Sequence, residues 1–392
     1  MGELTVDWLL PEGDGGARTS DGVLRLPGAL PGERVRWRAD GGKGSRQAGV
    51  VEAILSPSPL RRTPPCPFDA ECGGCGLAHL APEGRPEVLS GWARRAWRVP
   101  EGFPVGFVAS PRASGHRARI KLTLDGGRVG YRREGSHALV PIDHCLAARP
   151  EVDAAIARLE GVPLAGLATV EIRSDGARVV FAFTSAGRFD GAALAPLVDV
   201  AVDGKVFHGN PTLTLPGGLR ASPSSFYQVN LEVNARLVAH VRDAVLAAKA
   251  ERVADLYAGI GNLTLPIAAA GVPVIAVERE GQATADLRFN AAAARLANVV
   301  TVERPVEAWD PSREAFDVVV LDPPRTGAPG VLTRVLRNRP RVIVTVSCHA
   351  PSSARDLEPA LKAGYEIVSL DVFDLFPDTH HFESIVVARR KR

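Results

Sequence analysis

The chain has 392 residues, enough for two or three domains that each bury a core. Hydrophobic residues make up 45% and charged residues 23%, an ordinary globular balance, and a net charge of +3 carries no argument for or against nucleic acid. No apolar run approaches the roughly 20 residues of a membrane span, so none is expected.

The first residues, MGELTVDWLLPEGDGG, lack the basic and apolar regions of a signal peptide, and the protein is expected in the cytoplasm. From residue 1 to 56 short alternating segments separated by Gly-rich turns predict a small β-barrel. The Pro-rich SPSPLRRTPPCP marks a boundary. CPFDAECGGC follows, with Cys66, Cys72 and Cys75 in C-x5-C-x2-C spacing, and Cys145 stands alone further on. In a reducing compartment such a cluster points to a metal or iron–sulfur site more than to disulfides.

Residues 57–220 are otherwise read as a central β-rich domain, with hairpin turns at Asp125-Gly126-Gly127 and Ser174-Asp175-Gly176. Between Arg112 and Arg133 seven Arg or Lys residues face one acid, a patch able to engage phosphates or simply to be solvated. From 221 to 392 apolar strands alternate with Ala- and Leu-rich helices, which predicts a parallel sheet covered on both faces. Only FPDTHH separates the last two strands, so they are expected to form a hairpin, with one antiparallel strand at the sheet end.

Four constellations carry chemistry. In DLYAGIGNLTLPIA a strand runs through Gly259 and Gly261 into a helix, and Glu278 closes the next strand, where a carboxylate can take ribose hydroxyls. The third glycine of the dinucleotide fingerprint is absent, which favours adenosylmethionine over a pyrophosphate ligand. In LDPPRTG, Asp322 points into the crevice at a strand end. Cys348 ends the next strand near a helix beginning around Ser352, whose N-terminus is expected to lower the thiol pKa. His380, His381 and Glu383 stand at a loop–strand junction on the same edge, where a carboxylate can act as a general base.

Together these residues resemble the RNA 5-methyluridine methyltransferase family, over nearly the whole chain, and within it the iron–sulfur 23S rRNA uracil-5-methyltransferase branch. The N-terminal GxGGAR and LPGERV are similar to a TRAM domain, the OB-like RNA-binding barrel of that branch. The resemblance implies a class I (Rossmann-like) α/β methyltransferase domain at 221–392, a TRAM barrel at 1–56 and an iron–sulfur domain at 57–220. It implies a [4Fe–4S] cluster on Cys66, Cys72, Cys75 and Cys145. SPSSFYQVN resembles the family's F-x-Q-x-N motif, so Gln228 is expected at S-adenosyl-L-methionine with Tyr257, Gly259, Asn262, Glu278 and Asp322. Cys348 is expected as the nucleophile and Glu383 as the proton-abstracting base. The loop after the nucleophile departs from the usual SC-x-P-x-T, reading Ser347-Cys348-His349-Ala350-Pro351-Ser352.

The implied reaction is methylation of C5 of a uridine, in 23S rRNA, by a monomer that contacts RNA and no membrane. C5 of uracil is a poor nucleophile until a thiolate adds to C6, and the uridine must leave its stack to be reached. Methylation of the tRNA T-loop is the alternative substrate. A non-catalytic RNA-binding or assembly protein is disfavoured by intact Cys348 and Glu383, and a nicotinamide oxidoreductase by the missing glycine and the DPPR loop.

Overall fold

A computed structural model describes residues 2–40 and 47–391. Residues 1, 41–46 and 392, which fall within the expected 1–56 and 221–392 regions, lie outside the described residues.

The N-terminal strands are β1 (Gly2–Thr5), β2 (Trp8–Leu9), β3 (Gly15–Thr19), β4 (Gly22–Leu26), β5 (Arg34–Ala39) and β6 (Gln47–Ser56), in the order β1-β5-β6-β4-β3-β2. Leu24, Leu26 and Val35 are fully buried between them. The Glu33 carboxylate, buried beside this sheet, accepts bonds from the N–H groups of Leu30 (2.8 Å) and Ser58 (3.1 Å) and from the Arg61 guanidinium (2.5 and 2.8 Å). Burial alone would raise its pKa, but Arg61 and the two N–H groups hold it below the usual range. Glu33→Ala leaves those donors without their acceptor, and is expected to cost about 3–5 kcal/mol in denaturant unfolding. A loss under about 1 kcal/mol would show that the pair stitches nothing.

The next strand, β7 (Gly106–Val108), follows helix α1 (Arg85–Trp97). A seven-stranded sheet then takes β8 (Arg119–Asp125), β9 (Arg128–Arg132), β10 (Leu139–Pro141), β11 (Leu167–Ser174), β12 (Val179–Ser185), β13 (Val200–Val202) and β14 (Lys205–His208). Both predicted turns are present. Asp125 pairs with Arg128 across Gly126 and Gly127, whose φ values of 57° and 75° are those of a two-residue hairpin of the I′ kind. Ser174 pairs with Val179, and the Asp175 carboxylate accepts the N–H groups of Ala177 and Arg178 inside the turn. Helix α2 (Pro150–Ile156) covers one face, and the short pair β15 (Leu213–Leu215) and β16 (Leu219–Ala221) follows.

The C-terminal sheet holds β17 (Val253–Leu256), β18 (Val274–Glu278), β19 (Val299–Glu303), β20 (Val318–Leu321), β21 (Val342–Ser347), β22 (Tyr365–Phe373) and β23 (Glu383–Arg390), together with β7. Its order is β19-β18-β17-β20-β21-β23-β22-β7. Strands β17, β18, β20 and β21 are buried on both faces, as their Val- and Ile-rich runs require, while β19 at the edge is partly exposed. Helices α3 (Leu231–Ala247) and α4 (Thr264–Ala269) cover one face; α1, α6 (Val331–Val335) and α7 (Ala350–Lys362) cover the other. Helix α5 (Gly281–Ala293) packs Leu287 against Ala276.

Two differences from the sequence expectations stand out. The hairpin forms, but antiparallel β23 lies inside the sheet, between β21 and β22, and not at its end. The edge beyond β22 is taken by β7, so α1 and β7, within the stretch read as the central domain, pack into the C-terminal layer. One apolar core accordingly runs from Leu9 and Leu30 through Leu77, Leu89 and Trp92 to Val319 and Ile343.

Candidate active site and cysteine cavity

Parallel strands deliver their carboxyl ends to one edge, and the first of them supplies a turn. After β17 the N–H groups of Tyr257 and Ala258 both donate to the Val277 carbonyl (3.0 and 3.1 Å), and Tyr257 takes φ 66°. Gly261, at φ 95°, sits against Leu265, where a Cβ would lie 2.2 Å from a side-chain carbon. A Cβ on Gly259 would meet nothing within 4 Å, which leaves open space over the turn. The buried Glu278 carboxylate braces it, accepting N–H bonds from Gly259 (2.9 Å), Arg279 (2.7 Å) and Glu280 (2.9 Å). Asn262 exchanges amide bonds with Asn234 of α3 (2.9 and 3.0 Å). The Tyr257 hydroxyl donates to Glu307 (2.7 Å). Burial, reinforced by that carboxylate, keeps the phenol protonated.

Gln228 is buried on the segment Ser222–Asn230. That segment is held from two sides. The buried Arg173 guanidinium donates to the carbonyls of Ser222, Pro223 and Ser225, and the buried Asp286 carboxylate accepts from Ser222 and Ser225. Phe226 is left 62% exposed, with the Arg119 guanidinium 4.5 Å over its ring.

Asp255, the first residue of the DLYAGIG motif, has no role legible in the sequence, where a charge inside an apolar strand matches no site pattern. It is fully buried; one oxygen accepts the Thr264 hydroxyl (2.5 Å) and the other has no partner. Burial raises its pKa to about 7. Asp322, half-buried at the tip of β20, is raised to about 7 by desolvation and by Asp255. Glu383 is buried, with one oxygen unpartnered, and is pushed up by desolvation and by Asp322 against the pull of Arg325. These carboxyls titrate as a linked set, and part of it stays protonated at neutral pH.

Cys348 and Glu383 meet across a ladder. Ser347 pairs with Ser384 in the antiparallel β21–β23 register, so the next positions outward, Cys348 and Glu383, face each other at the strand ends. Opposite side chains in such a ladder stand about 4.5–5.5 Å apart at Cβ. Helix α7 begins at Ala350, close to the thiol. The expected lowering of the thiol pKa is nevertheless overturned. Burial, then the Glu383 and Asp322 carboxyls, push Cys348 up to about 12, and Arg325 offsets only part of this. The altered loop is well anchored: the Ser352 hydroxyl donates to the Arg325 carbonyl (2.9 Å), and His349 Nδ1 accepts the Ser352 N–H (3.3 Å), capping α7. It thus ties the LDPPRTG loop to the cysteine.

The His380 and His381 rings lie 4.0 Å apart between centroids, tilted by 56°, and burial followed by His380 lowers His381 to about 3, so it is neutral at pH 7. The basic stretch is largely committed within the fold: Arg112 pairs with Glu232, Arg119 with Glu171 and Arg133 with Glu71. Lys121 and Arg128 remain exposed.

Away from this edge, Cys66, Cys72, Cys75 and Cys145 line one cavity of about 290 Å³, with Arg117 and Tyr131 in its wall. Burial raises the pKa of the first three; Cys75 reaches about 12, offset in part by Arg117. The Nε of Arg117 is buried without a partner. Among the described residues no three His, Cys, Asp or Glu side chains close round a single metal ion. Nor is any described helix long and apolar enough to cross a membrane.

The tRNA (Uracil-5-)-methyltransferase family model matches residues 307–391. A 23S rRNA (uracil(1939)-C(5))-methyltransferase RlmD of Cronobacter sakazakii is 32% identical, covering 99% of this chain and 96% of its own length. The protein of the same name from Pectobacterium atrosepticum is 30% identical, over 98% and 92%. The crystal structure of Pyrococcus abyssi tRNA (uracil-54, C5)-methyltransferase with S-adenosyl-L-homocysteine superposes with a TM-score of 0.80 at 24% identity, covering 99% of this chain and all of that one.

Proposed function

The chain belongs to the RNA (uracil-5-)-methyltransferase family, and from that premise we propose that it methylates C5 of a uridine in 23S rRNA at the expense of S-adenosyl-L-methionine. The observation that carries the reading is the register placing Cys348 opposite Glu383 at the carboxyl edge, beside Asp322.

The turn fits the methyl donor. Gly259 leaves open space, Glu278 stands at the tip of β18 where ribose hydroxyls would lie, and the buried Asp255 and half-buried Asp322 carboxyls suit a positively charged ligand. When bound, S-adenosyl-L-methionine supplies a methyl group on cationic sulfur, which the activated C5 accepts. Gln228, Tyr257, Asn262, Glu278 and Asp322 would hold it. A cation beside these acids also favours the ionised forms of Asp322, Glu383 and Cys348, lowering the barrier that burial imposes on the thiol.

The chain's own residues do the rest. Cys348 loses its proton to solvent and its sulfur pair forms the Sγ–C6 bond, while the C5=C6 pair moves toward C5 and O4. Once C5 carries the methyl, Glu383 takes the C5 proton; the freed pair restores C5=C6 and Sγ departs as thiolate. The balance is one methyl gained and one proton released.

The four cysteines suit a [4Fe–4S] cluster. A cube of four irons takes one thiolate per corner, so its thiols stand farther apart than those round one ion, and the half-buried Arg117, whose Nε is buried without a partner, would offset its negative charge. Such a cluster would tie the segment together; the methyl transfer consumes no electrons. Protein isolated without oxygen is expected to be brown with about four irons, and Cys72→Ser to lose colour and iron. Colourless protein holding one zinc would refute this.

We read residues 1–56 as the OB-like TRAM domain, 57–220 as the cluster-bearing domain and 221–392 as the methyltransferase domain, in a cytoplasmic monomer that binds RNA. The test is RNA with 5-fluorouridine at the target, whose fluorine cannot leave as a proton. A denaturation-resistant enzyme–RNA adduct supports the mechanism; none, with adenosylmethionine present, refutes it. Methyl transfer to protein-free 23S rRNA should exceed transfer to tRNA.

A further inference from the structure

The loop that delivers Glu383 packs Leu375 against α3 and takes a bond from Asn230 at the Leu375 carbonyl, but its polar grip comes mainly from the segment that carries the cysteines. Arg85 opens α1 and is buried. Its guanidinium donates to both oxygens of Asp374 (2.8 and 2.7 Å), to the Phe376 carbonyl (3.3 Å) and through two nitrogens to the Thr379 carbonyl (3.2 Å each). All of these acceptors lie between β22 and Glu383. Arg62 donates to the Ala78 carbonyl and to the Asp378 carboxylate, and the Leu77 N–H donates to the Asp378 carbonyl (2.9 Å). Asp378 itself takes φ 63°, a backbone state that needs outside support. At the other end of α1 the Trp97 indole N–H donates to the hydroxyl of Ser384, the neighbour of Glu383 (3.3 Å).

We propose that Arg85 and Arg62 are positioning residues that hold the 374–382 loop so that Glu383 meets the C5 proton, making the cysteine-bearing segment a brace for the base. The proposal rests on the assignment of Glu383 as that base. Five of the bonds come from one planar guanidinium, a fork whose directions a lysine cannot reproduce. A base displaced by about 1 Å can lose ~10²-fold in rate, while RNA binding and thiol addition are left in place. The step that slows is the last one. The methylated Cys348–C6 adduct then builds up on ordinary uridine RNA, a signature that loss of stability alone does not produce.

The test uses full-length, cluster-loaded protein, unmodified uridine RNA and adenosylmethionine. Wild type turns over with little adduct, and Glu383→Gln accumulates a denaturation-resistant one. Arg85→Lys, and Arg62→Gln at the half-exposed position, are expected to lower kcat about 10–100-fold with KM for RNA within about twofold, and to accumulate the same adduct. Leu89→Ala, one turn along α1 from Arg85 and making no hydrogen bond to the loop, is expected to lower the melting temperature without adduct. Arginine variants that turn over at the wild-type rate, or slow without adduct while Glu383→Gln accumulates it, overturn the proposal and leave the assignment of the base intact. Absence of adduct from Glu383→Gln itself overturns that assignment, and the brace with it.

Discussion

Cys348→Ala protein is expected to lose uridine methylation by at least about 10⁴-fold and to give no adduct with 5-fluorouridine RNA, while still binding adenosylmethionine. The expectation follows from what C5 lacks. Without a sulfur on C6 no electron pair reaches C5, and no other nucleophile among the motifs stands on this edge. Retained adduct in the alanine variant would remove the cysteine from the chemistry. The high thiol pKa adds a sign that can be checked. Burial, Glu383 and Asp322 hold Cys348 as the thiol up to about pH 12, so the free enzyme should react slowly with iodoacetamide at pH 8 and faster as pH rises. Asp322→Asn removes one of the opposing carboxyls and should speed alkylation at fixed pH, read at Cys348 by mass spectrometry. Alkylation as fast at pH 7 as at pH 10 would contradict the buried, acid-flanked setting.

Glu383→Gln is expected to reduce turnover by about 10²–10⁴-fold, the usual worth of a positioned general base. Its distinctive feature is where the reaction stops. Thiol addition and methylation precede proton removal, so a single-turnover experiment with radiolabelled methyl groups should place label in a protein–RNA species that survives denaturant. Label found only in released RNA would assign proton removal to another group. Burial and Asp322 raise the Glu383 pKa, so in the free enzyme the carboxyl leans toward its protonated form. The rate of the proton-removal step should therefore climb with pH and level off once Glu383 is ionised.

Much of this site was legible in the sequence because its parts end strands. Asp322 follows an unbroken apolar run and Cys348 a Val- and Ile-rich one, and the Gly259–Gly261 turn sits between a strand and a helix, so the sequence pattern put them on one edge. The hairpin was legible from the short FPDTHH link. Its position inside the sheet was not, because local spacing says nothing about which older strand a new one will join, and that choice is what sets Cys348 against Glu383. Arg85 and Arg173 were illegible for a related reason: their partners, backbone carbonyls and for Arg85 also the Asp374 carboxylate, lie far away in the chain, and such long-range pairings carry no local sequence signature. Asp255 hid inside a strand where an apolar residue was the natural expectation. The helix N-terminus beside Cys348 was legible as local geometry, but burial first and then two acids from elsewhere in the fold push the thiol up.

The three-residue strand β7 has a bearing on how the molecule can be cut and recombined. It closes the open side of β22, and α1 just before it roofs the apolar face behind. A fragment starting at residue 221 would lose both, baring a row of unpaired backbone groups and uncovering Leu370 and Val372, which are buried in the intact chain, the kind of edge that recruits other chains. Expressed alone, such a piece should aggregate, whereas one that also carries residues 82–108 on the same chain should stay dispersed. The C-terminal half is thus no portable cassette, and any exchange of the front of the protein for another unit would have to keep this short stretch.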